Sequence, residues 1–400
     1  MSTLSILPYF PFSRIRITNQ NVISDSNISQ LTAVPDQRYL PVCHECGSKS
    51  QRIHRHEKRL VRDLNLGSVR VWINCSYRKI VCKQCNRIVV EDLGVFDPYS
   101  RVTRRLALCI YELCKVLTVT DVAKHFGINW KTVKAIDKYF LKQQYGKTEL
   151  DNLSILAVDE IAIEKGHKYL TVVLDYLSGR VVWIGKERTK DTLGSFFAEM
   201  TQEQRESLEA IAMDMWDPYI HATKKHVPHV QIVFDLFHVV SSFGKVIDKV
   251  RNAEYRKASK EDKDVIKGSK YLLLKNKRNI RKKKHREHLK QLLSLNETIN
   301  TLLILKDKLK QIWNYRSRTW ARKTLDEWCL LAKTVNHTAV NKFANMLKRH
   351  SYGILNHCDY CIHTSKLEGV NNKIKVIKRK AYGFLDVRYF SLKIIQAFSN

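Results

Sequence analysis

Residues 154–160 have the sequence Ser154-Ile155-Leu156-Ala157-Val158-Asp159-Glu160, a short apolar run that ends in two acids. An apolar run this short, bounded by polar residues, is typical of a buried central strand, although periodicity alone also permits a turn of buried helix. We interpret it as a strand. Asp159 is then expected at the carboxyl end of that strand.

The residues that follow favour an antiparallel meander. Residues 166–175 (GHKYLTVVLD) and 180–186 (RVVWIGK) are rich in β-branched and aromatic side chains, and Ser178-Gly179 separates them as a turn. Together with the first run, they predict three consecutive strands in one sheet.

Two further apolar runs also stop at acids. After a helix-like stretch at 193–200, residues 210–213 form a fourth predicted strand, which ends at Asp214. A fifth predicted strand, 229–234, leads into the segment DLFH at 235–238. The first and fourth predicted strands therefore both end in carboxylates.

The composition predicts a globular protein of two to four domains that binds a polyanion. The chain has 400 residues, 44% of them apolar, and a formal net charge of +31 with a pI near 9.7. No apolar run approaches the ~20 residues that span a bilayer, and the N-terminus lacks the basic segment and cleavage site of a signal peptide. We therefore expect nucleic acid rather than a membrane as the partner, and a reducing compartment for the ten cysteines.

Two Cys-x-x-Cys pairs predict a structural metal site. The predicted ligands are Cys43, Cys46, Cys82 and Cys85. Four thiolates suit a tetrahedral Zn²⁺, and residues 69–73 and 77–81 have strand character, which together predict a zinc ribbon. Gly47 and Asn86, which follow the two pairs, tolerate the left-handed backbone conformation. Because the pairs are further apart than in most such sites, three rival ligands remain: Cys75, His54 and His56.

The periodicity becomes helical between Arg101 and Tyr145. Within this range, residues 119–139 (VTDVAKHFGINWKTVKAIDKY) predict a helix-turn-helix, in which Thr120 caps the first helix and Gly127 permits the tight turn. The N-terminal part of the second helix of such a motif enters the major groove of DNA. The candidate DNA contacts there are Asn129, Trp130, Lys131, Thr132 and Lys134. An ordinary αα-hairpin is the alternative.

A long basic region at residues 241–350 is predicted to form packed helices, since leucines recur at helical spacing. It contains the run KNKRNIRKKKHREHLK at 275–290. Such a run is either a solvated surface or a contact with the DNA backbone, whose affinity then depends on salt.

Residues 364–382 (TSKLEGVNNKIKVIKRKAY) predict an amphipathic helix. Its apolar face consists of Leu367, Val370, Ile374 and Ile377. Its polar face carries Glu368, Asn371 or Asn372, Lys375 and Arg379. Glu368 has two interpretations: a functional acid among bases, or the second residue of a capping box that begins at Ser365.

The order of these elements resembles the RNase H-like DDE transposases, and the front end is similar to the ISL-three group of bacterial insertion-sequence transposases. The resemblance spans residues 43–400 and includes the paired cysteines and the helix-turn-helix. The other motifs that carry it are Asp159-Glu160, Gly166-x-x-Tyr169-x-Thr171, Asp235-Leu236-Phe237-His238, Glu368-x-x-Asn371-Asn372-x-Ile374-Lys375 and Ala381-Tyr382-Gly383-Phe384.

The resemblance implies a multidomain α/β chain, with a zinc ribbon and a helix-turn-helix followed by an RNase H-like mixed β-sheet domain that carries a helical insertion. The expected divisions are an N-terminal segment without a motif at 1–40, the zinc ribbon at 41–97, the helix-turn-helix domain at 98–150, the catalytic domain at 151–240 and 351–400, and the basic helical insertion at 241–350. We expect the N-terminal segment to be poorly ordered.

By the same resemblance, Asp159, Asp214 and Glu368 are the catalytic acids and hold Mg²⁺ or Mn²⁺. Hard cations choose carboxylate oxygens, and two ions about 3.5–4 Å apart stabilise both the attacking and the leaving oxygen of strand cleavage and transfer. Lys375 and Arg379 are the expected DNA contacts beside Glu368.

Two points about these acids stay open. Asp217 is the rival of Asp214, which we favour because it directly ends the apolar run. Asp235 and His238 either support the catalytic acids or form no more than a pair at a strand end.

The implied partners are double-stranded DNA, at the terminal inverted repeats and the target, and a second copy of the chain in a synaptic complex. The implied location is the bacterial cytoplasm, at the nucleoid, without a membrane partner. Two other functions remain: a sequence-specific DNA-binding regulator with a non-cleaving RNase H-like domain, and a structure-specific nuclease. No phosphate-binding loop of the G-x-x-x-x-G-K-[ST] type is present, so ATP-driven chemistry is not implied.

Overall fold

The computed structural model describes residue 10 and residues 12–164, 168–362 and 365–399. The chain forms two compact units, one ending at Gly146 and the other beginning at Lys147. Each unit is built around a sheet of its own. No helix in the described ranges is long and apolar enough to cross a membrane.

The first unit contains a five-stranded sheet. Its strands are β1 (Ile15–Ile23), β2 (Ile28–Pro35), β3 (Ile53–Arg62), β4 (Arg70–Cys82) and β5 (Arg87–Val90). Strand β4 is central, because it pairs parallel with β2 and antiparallel with both β3 and β5, while β1 lies at the edge beside β2. Alternate side chains such as Leu31, Val61 and Ile73 point to one face and form the core.

Two predictions for this unit are wrong. The N-terminal segment is not without order, because residues 15–35 form β1 and β2, and Leu31 and Ala33 of β2 are fully buried in the core of the sheet. The strands predicted at 69–73 and 77–81 are one continuous strand, β4. Cys75 lies between them, fully buried, so the inward alternation continues without interruption.

Three helices follow the sheet and form the predicted helix-turn-helix. They are α1 (Arg104–Val116), α2 (Val119–Phe126) and α3 (Trp130–Tyr145). Leu106, Val122 and Val133, one from each helix, are fully buried in their shared core. The buried carboxylate of Asp63 accepts hydrogen bonds from the Thr103 hydroxyl and from Nε of Arg105, which attaches α1 to the end of β3.

The turn of this motif is as predicted, but the cap is not. Gly127 ends α2 with a φ of 63°, a left-handed conformation that costs glycine less than other residues. Thr118 rather than Thr120 caps α2, since its hydroxyl accepts a hydrogen bond from the backbone N–H of Asp121 at 3.1 Å. The sequence places two threonines within reach of the helix start, and the position of the first turn decides between them.

The second unit contains the predicted mixed sheet. Its strands are β6 (Ile155–Glu164), β7 (Lys168–Asp175), β8 (Val181–Lys186), β9 (Ala210–Met213) and β10 (Gln231–Phe234). The strand order is β10-β9-β6-β7-β8; the first three run parallel, and β7 and β8 pair antiparallel. Gly166, where the second strand was expected to begin, lies outside the described residues.

The first strand of this sheet is longer than predicted. It does not end at Asp159 but continues to Glu164, because β7 keeps pairing with it over that length. Its pairing with the shorter β9 stops at Ala157 opposite Ala212. Asp159 is therefore in the middle of β6, yet just beyond the end of the parallel pairing.

Helices cover both faces of the sheet. The connecting helices are α4 (Lys190–Glu199), α5 (Gln202–Glu206) and α6 (Asp217–His226). The helical insertion predicted at 241–350 falls within a slightly longer helical region, which consists of α7 (Leu236–Lys257), α8 (Lys260–Ile266), α9 (Lys270–Leu274), α10 (Lys283–Leu295), α11 (Glu297–Gln311), α12 (Arg318–Thr334), α13 (Thr338–Arg349) and α14 (Ser351–Leu355). The chain closes with α15 (Ser365–Lys380) and α16 (Val387–Phe398). The insertion shares a core with one face of the sheet, and α15 and α16 pack on the other face.

The cap of α2 can be tested by a pair of substitutions. We expect Thr118→Ala to destabilise α2 by about 1 kcal/mol, because one N-terminal N–H loses its partner. The amides of α2 should then exchange hydrogen about fivefold faster in the full chain. Thr120→Ala is the matched control and should not accelerate exchange, since Thr120 is exposed inside the helix. If only the Thr120 variant exchanged faster, Thr120 rather than Thr118 would be the cap of α2.

Candidate active site and zinc site

Three aspartates lie side by side on one face of the second sheet. The parallel register of β6, β9 and β10 places them at equivalent positions: Asp159, Asp214 and Asp235. The residues two positions earlier on each strand all belong to the apolar cluster beneath α15: Ala157, Ala212 and Val233. Because side chains of a strand return to the same face every second residue, the three acids share the face that α15 covers.

His238, in the first turn of α7, lies between two of these acids. Its Nδ1 is 3.3 Å from Oδ2 of Asp214 and its Nε2 is 3.7 Å from Oδ2 of Asp235. The hydrogen bond to Asp214 raises the pKa of His238 to about 9, so the imidazole is protonated at neutral pH. Of the two residues that the sequence left as a supporting pair or a strand-end pair, Asp235 therefore belongs to the acid row and His238 contacts it directly.

Burial and neighbouring charges act differently on the three carboxyls. Burial raises the pKa of Asp159, and it raises the pKa of Asp235 to about 6. Burial also opposes the ionisation of Asp214, but the hydrogen bond and charge of His238, the Met215 N–H and the charge of Lys245 together lower the pKa of that carboxyl. A bound cation would favour the ionised form of all three groups.

Helix α15 is attached to this edge through Asn371. Its Nδ2 donates a hydrogen bond to Oδ2 of Asp159 at 2.5 Å, while the backbone N–H of Glu160 donates to Oδ1 at 2.7 Å. Glu368 lies one turn before Asn371 on the same helical face and is exposed. The side chain of Ser365 lies outside the described residues, so the capping-box interpretation of Glu368 stays a prediction.

Asp159, Asp214 and Glu368 do not form a group whose ligand atoms all lie within 4.8 Å of one another. Within the described part of the chain, the one group of three or more potential ligands whose atoms all lie within 4.8 Å of one another is formed by four cysteines. At the acid row, His238 occupies one side of Asp214 and the Asn371 amide one side of Asp159.

Asp214 and its rival Asp217 have different neighbours. Asp217 is the first residue of α6, and its charge acts on His350 and Tyr352, of which Tyr352 packs against the apolar cluster on the other side of the sheet. Asp214, in contrast, acts electrostatically on Asp159. Asp214 therefore remains the candidate.

A second polar cluster beside the acids was not foreseen. The Arg188 guanidinium lies 2.6 Å from Glu160 and is stacked over the rings of Tyr169 and Trp216, at 4.3 and 4.7 Å from their centroids. No local pattern marks Arg188, because its partners come from three other elements. Asn371, by comparison, was one of two asparagines that the sequence offered on the face of Glu368, and it is the one that bonds to Asp159.

The remaining candidate contacts in the second unit lie on the outer face of α15. Lys375 and Arg379 are exposed, and Nε of Arg379 donates to the carbonyl oxygen of Lys375 at 3.3 Å. They follow Glu368 by two and three turns, respectively, as the helical periodicity predicts.

The candidate DNA contacts of the helix-turn-helix lie at the start of α3. Asn129 caps this helix by accepting a hydrogen bond from the Lys131 backbone N–H at 2.8 Å, so its carbonyl oxygen has a structural role. Trp130 is 51% exposed, and Lys131 Nζ lies 5.9 Å from the centroid of its ring. Thr132 is exposed and Lys134 is half-buried.

The four cysteines of the ribbon form a compact cluster. Sγ of Cys43 lies 3.8 Å from Sγ of Cys85, and Sγ of Cys46 lies 3.5 Å from Sγ of Cys82. In a tetrahedral zinc site with bonds of about 2.3 Å, the sulfurs are about 3.8 Å apart. The cluster therefore fits Zn²⁺ in both donor type and size.

The surroundings of the cluster lower the pKa of two of the four thiols, Cys46 and Cys82, and raise the pKa of the other two. The Ser48 hydroxyl lowers the pKa of Cys82 to about 6, whereas burial raises the pKa of Cys43. Backbone N–H groups of Glu45 and Cys85 point at the sulfurs of Cys43 and Cys82, each at 3.4 Å. Gly47 and Asn86 adopt the predicted left-handed conformation, with φ of 73° and 49°.

The rival ligands lie elsewhere. Cys75 is fully buried in the apolar core of the sheet, and His54 and His56 are exposed on β3. None of the three belongs to the cysteine cluster, which is the only such group among the described residues.

Comparison with known proteins gives the same order of parts. Residues 40–85 match a zinc-finger family of the transposases of IS204, IS1001, IS1096 and IS1165, residues 91–141 match the helix-turn-helix domain of transposase family ISL3, and residues 156–394 match a family described as transposase. The chain is 38% identical over 360 residues to the transposase for insertion sequence element IS1001 of Bordetella parapertussis, covering 89% of this chain and 88% of that protein. It is 24% identical over 383 residues to the transposase for insertion sequence element IS1557 of Mycobacterium tuberculosis, with 88% and 84% covered.

The chain belongs to the ISL3 family of transposases. This is the ISL-three group that the sequence motifs resembled, and the predicted fold class is confirmed, with a zinc ribbon, a helix-turn-helix and a mixed α/β transposase domain. The four-cysteine cluster lies at the end of β4 in the zinc-ribbon region of this ISL3 transposase.

We expect this ISL3 transposase to bind one Zn²⁺ per chain, required for the order of the ribbon. Cys82→Ser should abolish zinc binding, measured by metal analysis of the purified full chain, and should accelerate hydrogen exchange in β5. Cys361→Ser is the matched control, because Cys361 is exposed and outside the cluster. Retention of a full equivalent of zinc by the Cys82 variant would exclude this site.

Proposed function

We propose that the chain binds the terminal inverted repeats of its insertion sequence and catalyses Mg²⁺-dependent DNA strand cleavage and strand transfer through Asp159, Asp214 and Glu368. The observation that carries the proposal is the hydrogen bond between Asn371 and Asp159. It connects the helix that carries Glu368 to the sheet edge that carries the aspartates, over more than 200 residues of sequence.

The donor set suits a hard cation. Asp159 and Asp214 present carboxylate oxygens on one face of neighbouring parallel strands, and Glu368 adds a third from α15. Mg²⁺ bound by these oxygens would stabilise charge on the attacking and leaving oxygens of the phosphodiester. Asn371 orients the Asp159 carboxylate, because it fixes Oδ2 while the Glu160 N–H fixes Oδ1.

His238 has a positioning role in this proposal. As an imidazolium between Asp214 and Asp235, it offsets the repulsion of adjacent carboxylates. Asp235 caps α7 by accepting a hydrogen bond from the Phe237 N–H, so the same acid fixes the ring and the helix start.

We assign the front of the chain, residues 41–150, to recognition of the DNA ends. The exposed start of α3, with Trp130, Lys131 and Thr132, has the chemistry to contact base edges and phosphates in the major groove. Lys375 and Arg379 would contact DNA beside the catalytic acids. Two ends must be processed together, so we infer a homo-oligomeric synaptic complex at the bacterial nucleoid.

The product of the reaction separates this function from the two alternatives. A regulator would bind the ends and leave them intact, and a structure-specific nuclease would release nicked strands without joining them. The transposase should convert end-bearing DNA into joined strands, which a supercoiled target plasmid reports directly.

We expect Glu368→Gln to lower Mg²⁺-dependent cleavage by at least about 1000-fold, because several kcal/mol of transition-state charge stabilisation is lost with the carboxylate. End binding and the unfolding temperature should stay unchanged, since Glu368 is exposed and glutamine keeps its size. Cleavage of a labelled end duplex measures the effect. Glu287→Gln, a change at another exposed helical position, should cut normally. Normal cutting by the Glu368 variant would make this residue a helix cap.

We expect Lys131→Ala to weaken binding to the terminal repeat by about tenfold, the usual cost of one lost base contact. Fluorescence anisotropy at fixed salt, with the repeat and a scrambled duplex, measures both affinity and sequence preference. Lys142→Ala, near the end of the same helix, is the charge-matched control. It should change little the ratio of the affinities for the repeat and for the scrambled duplex. An unchanged ratio for Lys131→Ala would support the αα-hairpin alternative.

A further inference from the structure

A groove of about 420 Å³ opens along α7, the helix that begins at the acid row. Residues 237, 241, 244 and 245 line it, and their spacing of three or four positions puts them on one face of the helix. Leu274 at the end of α9 forms part of the opposite wall. The groove extends from the first turn of α7 for about 12 Å, at 1.5 Å per residue.

The near end of this groove touches the proposed catalytic edge. The backbone N–H of Phe237 donates to Asp235 at 2.6 Å, and the Phe237 ring lies edge-on to the His238 ring, 5.7 Å between centroids. Further along the helix, Lys245 is close enough to Asp214 for its charge to act on that carboxylate. A ligand in the groove would therefore be adjacent to the acids without covering them.

Two side chains of the groove have no evident role in folding. Phe237 is 57% exposed, although an aromatic side chain contributes to stability mainly when it is buried. Lys245 is exposed and forms no ion pair with any residue in the described ranges. The other two cations have partners, because Lys270 pairs with Asp248 at 2.8 Å and Lys306 donates to the Leu274 carbonyl oxygen at 2.8 Å.

The groove offers a flat apolar side chain and a flexible cation, a combination that suits the base and the phosphate of a nucleotide. Stacking of a base on an aromatic side chain contributes about 1–3 kcal/mol, and a lysine attracts the phosphate. The groove also falls within the range of about 300–1,000 Å³ of small-ligand pockets. Gly244 lets Leu274 pack closely on α7, since a Cβ at this position would lie 3.0 Å from Cδ2 of Leu274.

We propose that this groove holds one nucleotide extruded from the DNA duplex beside the bond to be cleaved, with its base against Phe237 and its phosphate near Lys245. The inference rests on the proposed cleavage function and adds the position of the substrate. Extrusion separates the scissile phosphate from the stacked duplex, so that it can approach carboxylates on the face of a sheet.

The test uses duplexes that carry the terminal repeat flanking the gene, with 2-aminopurine at single positions within three nucleotides of the cleavage site. Unstacking raises the fluorescence of this base. In the absence of Mg²⁺, the full chain should raise fluorescence severalfold at one position only. Phe237→Ala should reduce that rise to less than one third, while end affinity measured by anisotropy changes less than about threefold.

Two further variants complete the design. Trp320→Ala is the matched control: Trp320 is also 57% exposed, and it does not line the groove. It should keep the full fluorescence rise. Ser241→Trp keeps Phe237 but fills the groove from an exposed position, and it should abolish the rise.

The outcomes separate this inference from the proposed function. End binding without a fluorescence rise at any position, or a rise that survives Phe237→Ala and Ser241→Trp, would overturn the extruded nucleotide alone. A wild-type chain that does not bind the repeat would overturn both proposals. Because no metal is present, the measurement does not depend on which acids cleave.

Discussion

The candidate active site depends on how three like charges are held side by side. The parallel register of β6, β9 and β10 puts Asp159, Asp214 and Asp235 on one face, where adjacent carboxylates repel and burial disfavours their ionised forms. Protein groups compensate at each acid: the Asn371 amide at Asp159, and the His238 imidazolium between the other two. Through these contacts, α15 and the start of α7 meet at the same edge of the sheet.

The first helix of the insertion, α7, therefore begins at a member of the acid row, Asp235. Asp235 directly follows β10 and caps α7. The exposed N–H groups of a helix N-terminus favour negative charge nearby. The side chains along α7 are then in a fixed relation to the acids. A long loop at this place would not fix these distances. Helix α7 does, because it is continuous over 22 residues, Leu236–Lys257.

In the first unit, too, a few specific contacts connect the main elements. Four sulfurs organise one end of β4, while the two N-terminal strands complete the other side of its sheet by burying Leu31 and Ala33. The Asp63 carboxylate then connects this sheet to α1, because it accepts hydrogen bonds from both Thr103 and Arg105. Ribbon and helix-turn-helix are thus joined by a buried polar contact.

The sequence by itself determined the features that neighbouring residues encode. Apolar runs predicted the sheet of the second unit, Cys-x-x-Cys spacing predicted the zinc cluster, and helical periodicity predicted the faces of α3 and α15. Only the tertiary structure decided that Asp159 lies within a longer strand, that Asn371 bonds to it, and that Arg188 stacks between Tyr169 and Trp216. Each of these three features depends on contact with residues far away along the chain, and no local pattern specifies which distant groups will meet.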